Sequence, residues 1–273
     1  MTTVENHNKQ ENDENSNTIL MFQQYQGLLD DRYNKHERLV KLSRDITIES
    51  KRIIFLLHRI TDEGSKHDIL LEADKKLKAL EETKLKQVAE EIKDDEIFLF
   101  LKAISPGLQE YVEAVSFYQY LEDKSLISLK KLQGRLEFIS KNQEISSDTK
   151  EDLILHLPHC EFMLGLADMT GELMRKCITS VGKQGNISIP FEISAFLKEI
   201  NNGMMILVKS EGAMRQLRRK IITLKQSLQK VEKACYTLKV RGSEIPQHML
   251  GDIFSQSIQG QESNDPVDEH HDM

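Results

Sequence analysis

Eight apolar residues near the C-terminal end follow a strict alternation of spacings. Met214, Leu217, Ile221, Leu224, Leu228, Val231, Cys235 and Leu238 are separated by 3, 4, 3, 4, 3, 4 and 3 residues. Only a helix brings such positions onto one face, and four heptads of it define a seam for a packed neighbour. A second seam runs through Leu39, Leu42, Ile46, Glu49, Ile53, Leu56 and Ile60, with one acid, Glu49, in an otherwise apolar series. Two such seams in 273 residues commit the chain to helices. Thirteen Gly and five Pro are too few for the many tight turns of a sandwich or barrel. The 30% of charged side chains suits solvated helix faces.

Turn residues and polar stretches divide the rest. One helix starts near residue 22 and ends at Gly64-Ser65, and a charged helix spans 66–92. Asp94-Asp95 opens a third. Ser105-Pro106-Gly107 reads as a helix start or a kink, with Ser105 as N-cap and Pro106 in the first turn. A shorter helix covers Ser125 to Ser140, and Asn142 to Thr149 is a loop. Another helix reaches about Ser180, and Gly182 to Asn186 is a loop. Pro190 opens the next helix, Gly212 marks a joint before 213–238, and a short amphipathic segment ends near Phe254. The expectation is an all-α chain: a single bundle of about seven helices with no convincing strand. The domain spans 20–255, between acidic tails at 1–19 and 256–273 that are disordered by composition.

Charge and cysteines narrow the class. The formal charge is −7, but residues 18–251 hold 36 basic against 34 acidic side chains, so the acidity sits in the tails. A slightly basic folded part keeps nucleic acid open as a partner. No run of 18 apolar residues exists, and the first residues lack the apolar stretch of a secretory signal. Cys160, Cys177 and Cys235 form no paired-cysteine motif and read as buried, reduced thiols of the cytosol or nucleus.

The candidate chemistry is carboxylate. Glu110 and Glu113 are three residues apart, and Asp168 and Glu172 four apart, so each pair shares one helix face. Both lie in apolar surroundings. If two helices bring four carboxylates together, their mutual repulsion is relieved by a divalent cation, and an all-oxygen donor set selects Mg2+, with Mn2+ as an alternative. The competing reading is that each pair lies on an ordinary solvated face. Glu49 either joins the acids or pairs locally with Arg52 or Lys51. His156, His159 and Cys160 lack a second ligand pair at zinc spacing. There is no phosphate-binding Gly-rich loop and no Ser or Cys nucleophile motif. Arg38, Lys41, Arg44, Lys51 and Arg52 form a stripe able to follow a phosphate backbone, and Arg215, Arg218, Arg219 and Lys220 form a second group. The alternative is a solvated face balanced by Glu37, Asp45 and Glu49.

Four blocks, in order, carry a resemblance: YNKHERLVKLSRDITIESKRIIFLLHR (33–59), GLQEYVEAVSF (107–117), LGLADMTGELMR (164–175) and TLKQSLQKVEKACYTLKVRGSEIPQHML (223–250). They are similar to the translin family, in its translin-associated factor X (TRAX) branch, where the acidic EYVEA and ADMTGE motifs stand intact. The resemblance implies an all-α fold of about seven helices and a roughly octameric shell with translin that encloses RNA. It implies the catalytic subunit of a Mg2+-dependent endoribonuclease cleaving single-stranded RNA, including passenger-strand fragments in RNA silencing and tRNA precursors. By the same resemblance Glu110, Glu113 and Asp168 are the catalytic acids, and Glu113 and Glu172 are the metal ligands. DNA and DNA-damage signalling proteins are further implied partners, no membrane is expected, and the expected location is cytoplasm and nucleus. Residues 1–17 carry only Lys9 and no basic import cluster. The contrasting expectation is a non-catalytic helical scaffold, or a DNA-repair and signalling partner of translin.

Overall fold

The computed structural model describes residues 4–138, 153–181, 188–208 and 215–241, with side chains from residue 17 to residue 240. The tail 256–273, the polar stretch 142–149, the loop 182–186, the joint at Gly212, seam residue Met214 and the segment ending near Phe254 lie outside the described residues. The helices are α1 (Val4–His58), α2 (Glu63–Leu80), α3 (Lys86–Ile92), α4 (Ile97–Asp123), α5 (Leu129–Gly134), α6 (His159–Val181), α7 (Ser188–Val208) and α8 (Arg215–Arg241). A π-helical turn, Glu81–Leu85, joins α2 to α3 without a break, so the described residues form seven helical bodies.

Several boundaries differ from the sequence expectation for local reasons. α1 is described from Val4 rather than from residue 22. It ends at His58, because Asp62 caps the next helix: its Oδ1 accepts the Ser65 backbone N–H at 2.8 Å, which places Gly64-Ser65 in the first turn of α2. Pro106 lies inside α4 and does not start it. Beside it the Ser43 hydroxyl, from α1, accepts the Gly107 N–H at 3.0 Å and donates to the Ile104 carbonyl at 3.4 Å. α4 ends where Lys124 takes the left-handed conformation, φ 63°, and its N–H closes on the Tyr120 carbonyl. The expected helix 125–140 is only Leu129–Gly134. The chain then extends into Glu137–Phe138, which pairs antiparallel with Leu153–Ile154, the one strand pair among the described residues.

α4 is the central element. Its C-terminal part is buried all round, every residue from Tyr111 to Leu121, while its first half keeps an exposed side at Lys102 and Pro106. It packs against α1 on one side and α6 on the other, and α6 packs in turn on α7 and α8. The seam of α1 is shifted from the expected one. Leu39, Ser43, Ile46, Ser50, Ile53, Ile54, Leu56, Leu57 and Ile60 are buried, so Leu56 keeps its expected place while Ser43 and Ser50 replace Leu42 and Glu49, which lie on the flank. Two serines sit in the seam because α1 approaches α4 closely: a Cβ added to Gly107 would stand 2.8 Å from the Ser43 carbonyl oxygen. The α8 seam from Leu217 to Leu238 is buried on α6 and α7, within the same chain.

Candidate active site

A second close approach builds the site. A Cβ on Gly165 of α6 would stand 2.6 Å from Val112 Cβ and 2.7 Å from the Gln109 carbonyl oxygen of α4. The missing side chain lets the two backbones meet one turn before Asp168. As a result Glu110 and Glu113 on α4 face Asp168 and Glu172 on α6, and the charges of Asp168 and Glu172 raise the proton affinity of both α4 glutamates. The two pairs expected from spacing are brought together.

Their surroundings are unequal. Glu110 is met by the Lys51 ammonium at 3.2 Å, from α1. Asp168 is met by Lys220, from α8. Glu172 lies 2.5 Å from His58 Nε2 and 3.3 Å from the Arg175 guanidinium. Glu113, only 8% exposed, has no hydrogen-bond or ion-pair partner among the described residues. Burial pushes its carboxyl up to about 8, and Glu110, Asp168 and Glu172 add to the rise against an opposing contribution from Lys220. Burial also raises Glu110, with Lys51 opposing, and Asp168, with Lys220 opposing.

The donor chemistry fits a hard divalent cation. The four facing groups are oxygen donors, and the buried Glu113 carboxylate in their midst needs a positive partner to ionise at neutral pH. As they stand, no three acidic, His or Cys side chains among the described residues are gathered closely enough to hold an ion. Three of the four carboxylates are instead held by Lys51, Lys220 and His58.

The remaining candidates separate by position. Arg38 is engaged by both oxygens of Glu91 at 2.9 Å, Lys41 by Glu37 at 3.1 Å and Arg52 by Glu49 at 2.6 Å. Glu49 thus takes the local pairing and stands apart from the four acids. Arg44 is exposed, and of the α1 stripe Lys51 alone touches an acid of the site. Spacing gives no signal for His58 or Gln109, and it places Lys220 only in the basic group with Arg215, Arg218 and Arg219. Nothing local distinguishes any of the three from a solvated polar residue. Their partners lie 114, 52 and 111 residues away, for His58–Glu172, Lys220–Asp168 and Lys220–Gln109.

This architecture, with two acid-bearing helices in contact behind a basic first helix, defines a class. The sequence matches the translin family over residues 34–242, and the chain belongs to that family. It is 47% identical to translin-associated protein X of Mus musculus, covering 88% of this chain and 84% of that protein. It is 28% identical to the translin-associated protein X homolog of Schizosaccharomyces pombe, over 82% of this chain and 89% of the other. Against human translin the identity is 25%, over 81% and 92%. The fold is similar to that of AfC3PO in its complex with duplex RNA, with a TM-score of 0.61 at 17% identity, covering 82% of this chain and 100% of that one. It is also similar to apo-NeC3PO, with a TM-score of 0.57 at 23% identity, covering 80% and 94%.

Proposed function

We propose that this chain is the nuclease subunit of a hetero-oligomer with translin, and that it hydrolyses single-stranded RNA with Mg2+, or Mn2+ in its place. The observation that carries the reading is the buried, partnerless Glu113 at the meeting point of Glu110, Asp168 and Glu172. The 47% identity to translin-associated protein X supports the partner, and the duplex RNA held by AfC3PO supports the ligand class. Glu113 and Glu172 are the proposed metal ligands.

When bound, the ion supplies Lewis-acid stabilisation of charge on the phosphate. The chain's own groups do the rest. Glu110 or Asp168 accepts the proton of the attacking water, since burial has raised both toward the range of a useful base. Lys51 and the exposed Arg44 offset phosphate charge on the α1 side. Among the described residues no pair of histidines faces the site to drive attack by the neighbouring 2′-hydroxyl, so the expected products carry 5′-phosphate and 3′-hydroxyl ends. Ends bearing 2′,3′-cyclic phosphate would overturn this version. Passenger-strand fragments and tRNA precursors, in cytoplasm and nucleus, are the proposed substrates.

One observation favours a second reading. Lys51, Lys220 and His58 already engage three of the acids, as a purely structural cluster in a scaffold would. Co-expression with translin and incubation with labelled single-stranded RNA separates the two, with arms in Mg2+, in EDTA, and in Mg2+ with Glu113→Ala. Cleavage only by the wild type in Mg2+, with assembly intact in all arms, is the expected result. A well-assembled wild-type complex that leaves RNA whole would put the scaffold first.

A further inference from the structure

Lys220 is bound too specifically for a surface lysine. Its ammonium, on α8, donates to Asp168 Oδ2, to Gln109 Oε1 at 2.9 Å and to the Leu164 carbonyl at 3.4 Å. Three acceptors match its three donor hydrogens. They come from both acid-bearing helices, Gln109 from α4 and Leu164 and Asp168 from α6. Gln109 is itself fixed: its Nε2 donates to Ser105 Oγ at 2.9 Å and to Glu161 Oε2 at 2.6 Å, and Ser105 donates to the same Glu161 oxygen at 2.7 Å. Glu161 is 4% exposed. A part-buried chain of polar groups thus runs from the buried Glu161 through Gln109 to Lys220 and ends on Asp168.

By contrast Lys51 is 55% exposed and meets a single carboxylate. The stem of Lys220 also carries a compact charge through rotatable bonds, so the ammonium can leave one acceptor and keep the others. An ammonium on Asp168 and a divalent cation on Glu113 and Glu172 share one half-buried cluster, where the Lys220 charge is already felt at Glu113, and they repel each other.

We propose that Lys220 is the resident cation of this site: it holds Asp168 while no divalent ion is present, is pushed off that carboxylate when one binds Glu113 and Glu172, which frees Asp168 as a base, and then neutralises the non-bridging oxygens of the scissile phosphate. This rests on the metal-nuclease reading above. It requires opposite effects on two measurements, which a merely structural lysine would not produce. Removing the charge strengthens metal binding, because a competitor is gone. It weakens catalysis, because the phosphate loses its counter-charge.

The test uses the complex with translin, titrated with Mg2+ by calorimetry in the absence of RNA and then assayed for RNA cleavage. Lys220→Met is expected to bind Mg2+ about fivefold more tightly and to cleave roughly a hundredfold more slowly. Lys220→Arg keeps Mg2+ affinity close to that of the wild type. Should Lys220→Met fail to assemble, Lys220→Gln removes the charge, keeps a donor for Asp168, and must show the same tightening. Mg2+ affinity unchanged or weaker in the neutral variants overturns the role of Lys220 and leaves the nuclease reading standing. A wild-type complex that takes up no Mg2+ overturns both.

Discussion

Glu113 is the residue at which burial and chemistry conflict most. Its folded-state carboxyl titrates near 8, against an ordinary value of 4.5. A group raised in the folded state contributes its stability fully below the lower value and loses it as pH rises through the upper one. Metal-free protein is therefore expected to become less stable between about pH 4.5 and pH 8, by an amount on the order of a few kcal/mol. Glu113→Gln should flatten that slope and raise the melting temperature in EDTA at pH 8. It should also lose most of the stabilisation that Mg2+ gives the wild type, and equal Mg2+ stabilisation of both proteins would remove Glu113 from the ligand set. A second buried acid, Glu81, is held differently. It accepts from the Tyr111 hydroxyl and from Arg135 Nε, both at 2.7 Å, inside the π-helical turn. Arg135→Met leaves that acid without its cation, and urea denaturation should register a loss of about 3 kcal/mol.

At the scale of elements, the close approach of α4 and α6 is what makes a site out of two unremarkable acidic pairs. Gly165→Ala places a methyl 2.6 Å from Val112 Cβ, where the surroundings are backbone and a β-branched stem that cannot turn away. The expected cost is about 1–3 kcal/mol. Cleavage should fall as well, since the helices that carry Glu110 and Asp168 must separate. Gly171, on the same helix between Asp168 and Glu172, has nothing within 4 Å of an added Cβ. Gly171→Ala is expected to stabilise by about 0.5–1 kcal/mol through helix propensity alone. Thermal denaturation of the two variants side by side checks the argument, and equal effects would show that the contact at Gly165 is not what limits the helix separation. The α1 seam teaches a related lesson. Alternate spacing placed Leu42 and Glu49 inside, but Ser43 and Ser50 are the buried residues, because a tight helix crossing rewards small side chains over apolar ones.

For the whole molecule, the telling feature is what α1 leaves uncovered. Ile19, Leu20, Phe22, Tyr25, Leu28, Leu29 and Tyr33 are each more than half exposed along one stretch of helix. A contiguous apolar surface of this kind drives association when it has no cover. The isolated chain is expected to self-associate or precipitate at micromolar concentration, and co-expression with translin to give one discrete species in sedimentation velocity. A monodisperse monomer from the chain alone would contradict this. The α8 seam, whose spacing suits an intermolecular coiled coil equally well, is closed within the chain and leaves nothing for a partner.

What the sequence determined by itself is periodic and local. The 3-4 alternation gives the helices and the buried face of α8, and the spacings of Glu110 with Glu113 and of Asp168 with Glu172 put each pair on one side of its helix, because the helical turn fixes neighbours three and four apart. The two-residue strands, the cap at Asp62 and the shift of the α1 seam escaped it, since a few residues of extended chain or one side-chain hydrogen bond leave no period to read. Tertiary structure alone decided that α4 and α6 are neighbours and that His58, Lys51 and Lys220 converge on their acids, from helices tens of residues away in the chain. Those distances are set by backbone contact at Gly107 and Gly165, where the absence of a side chain decides how near two helices come.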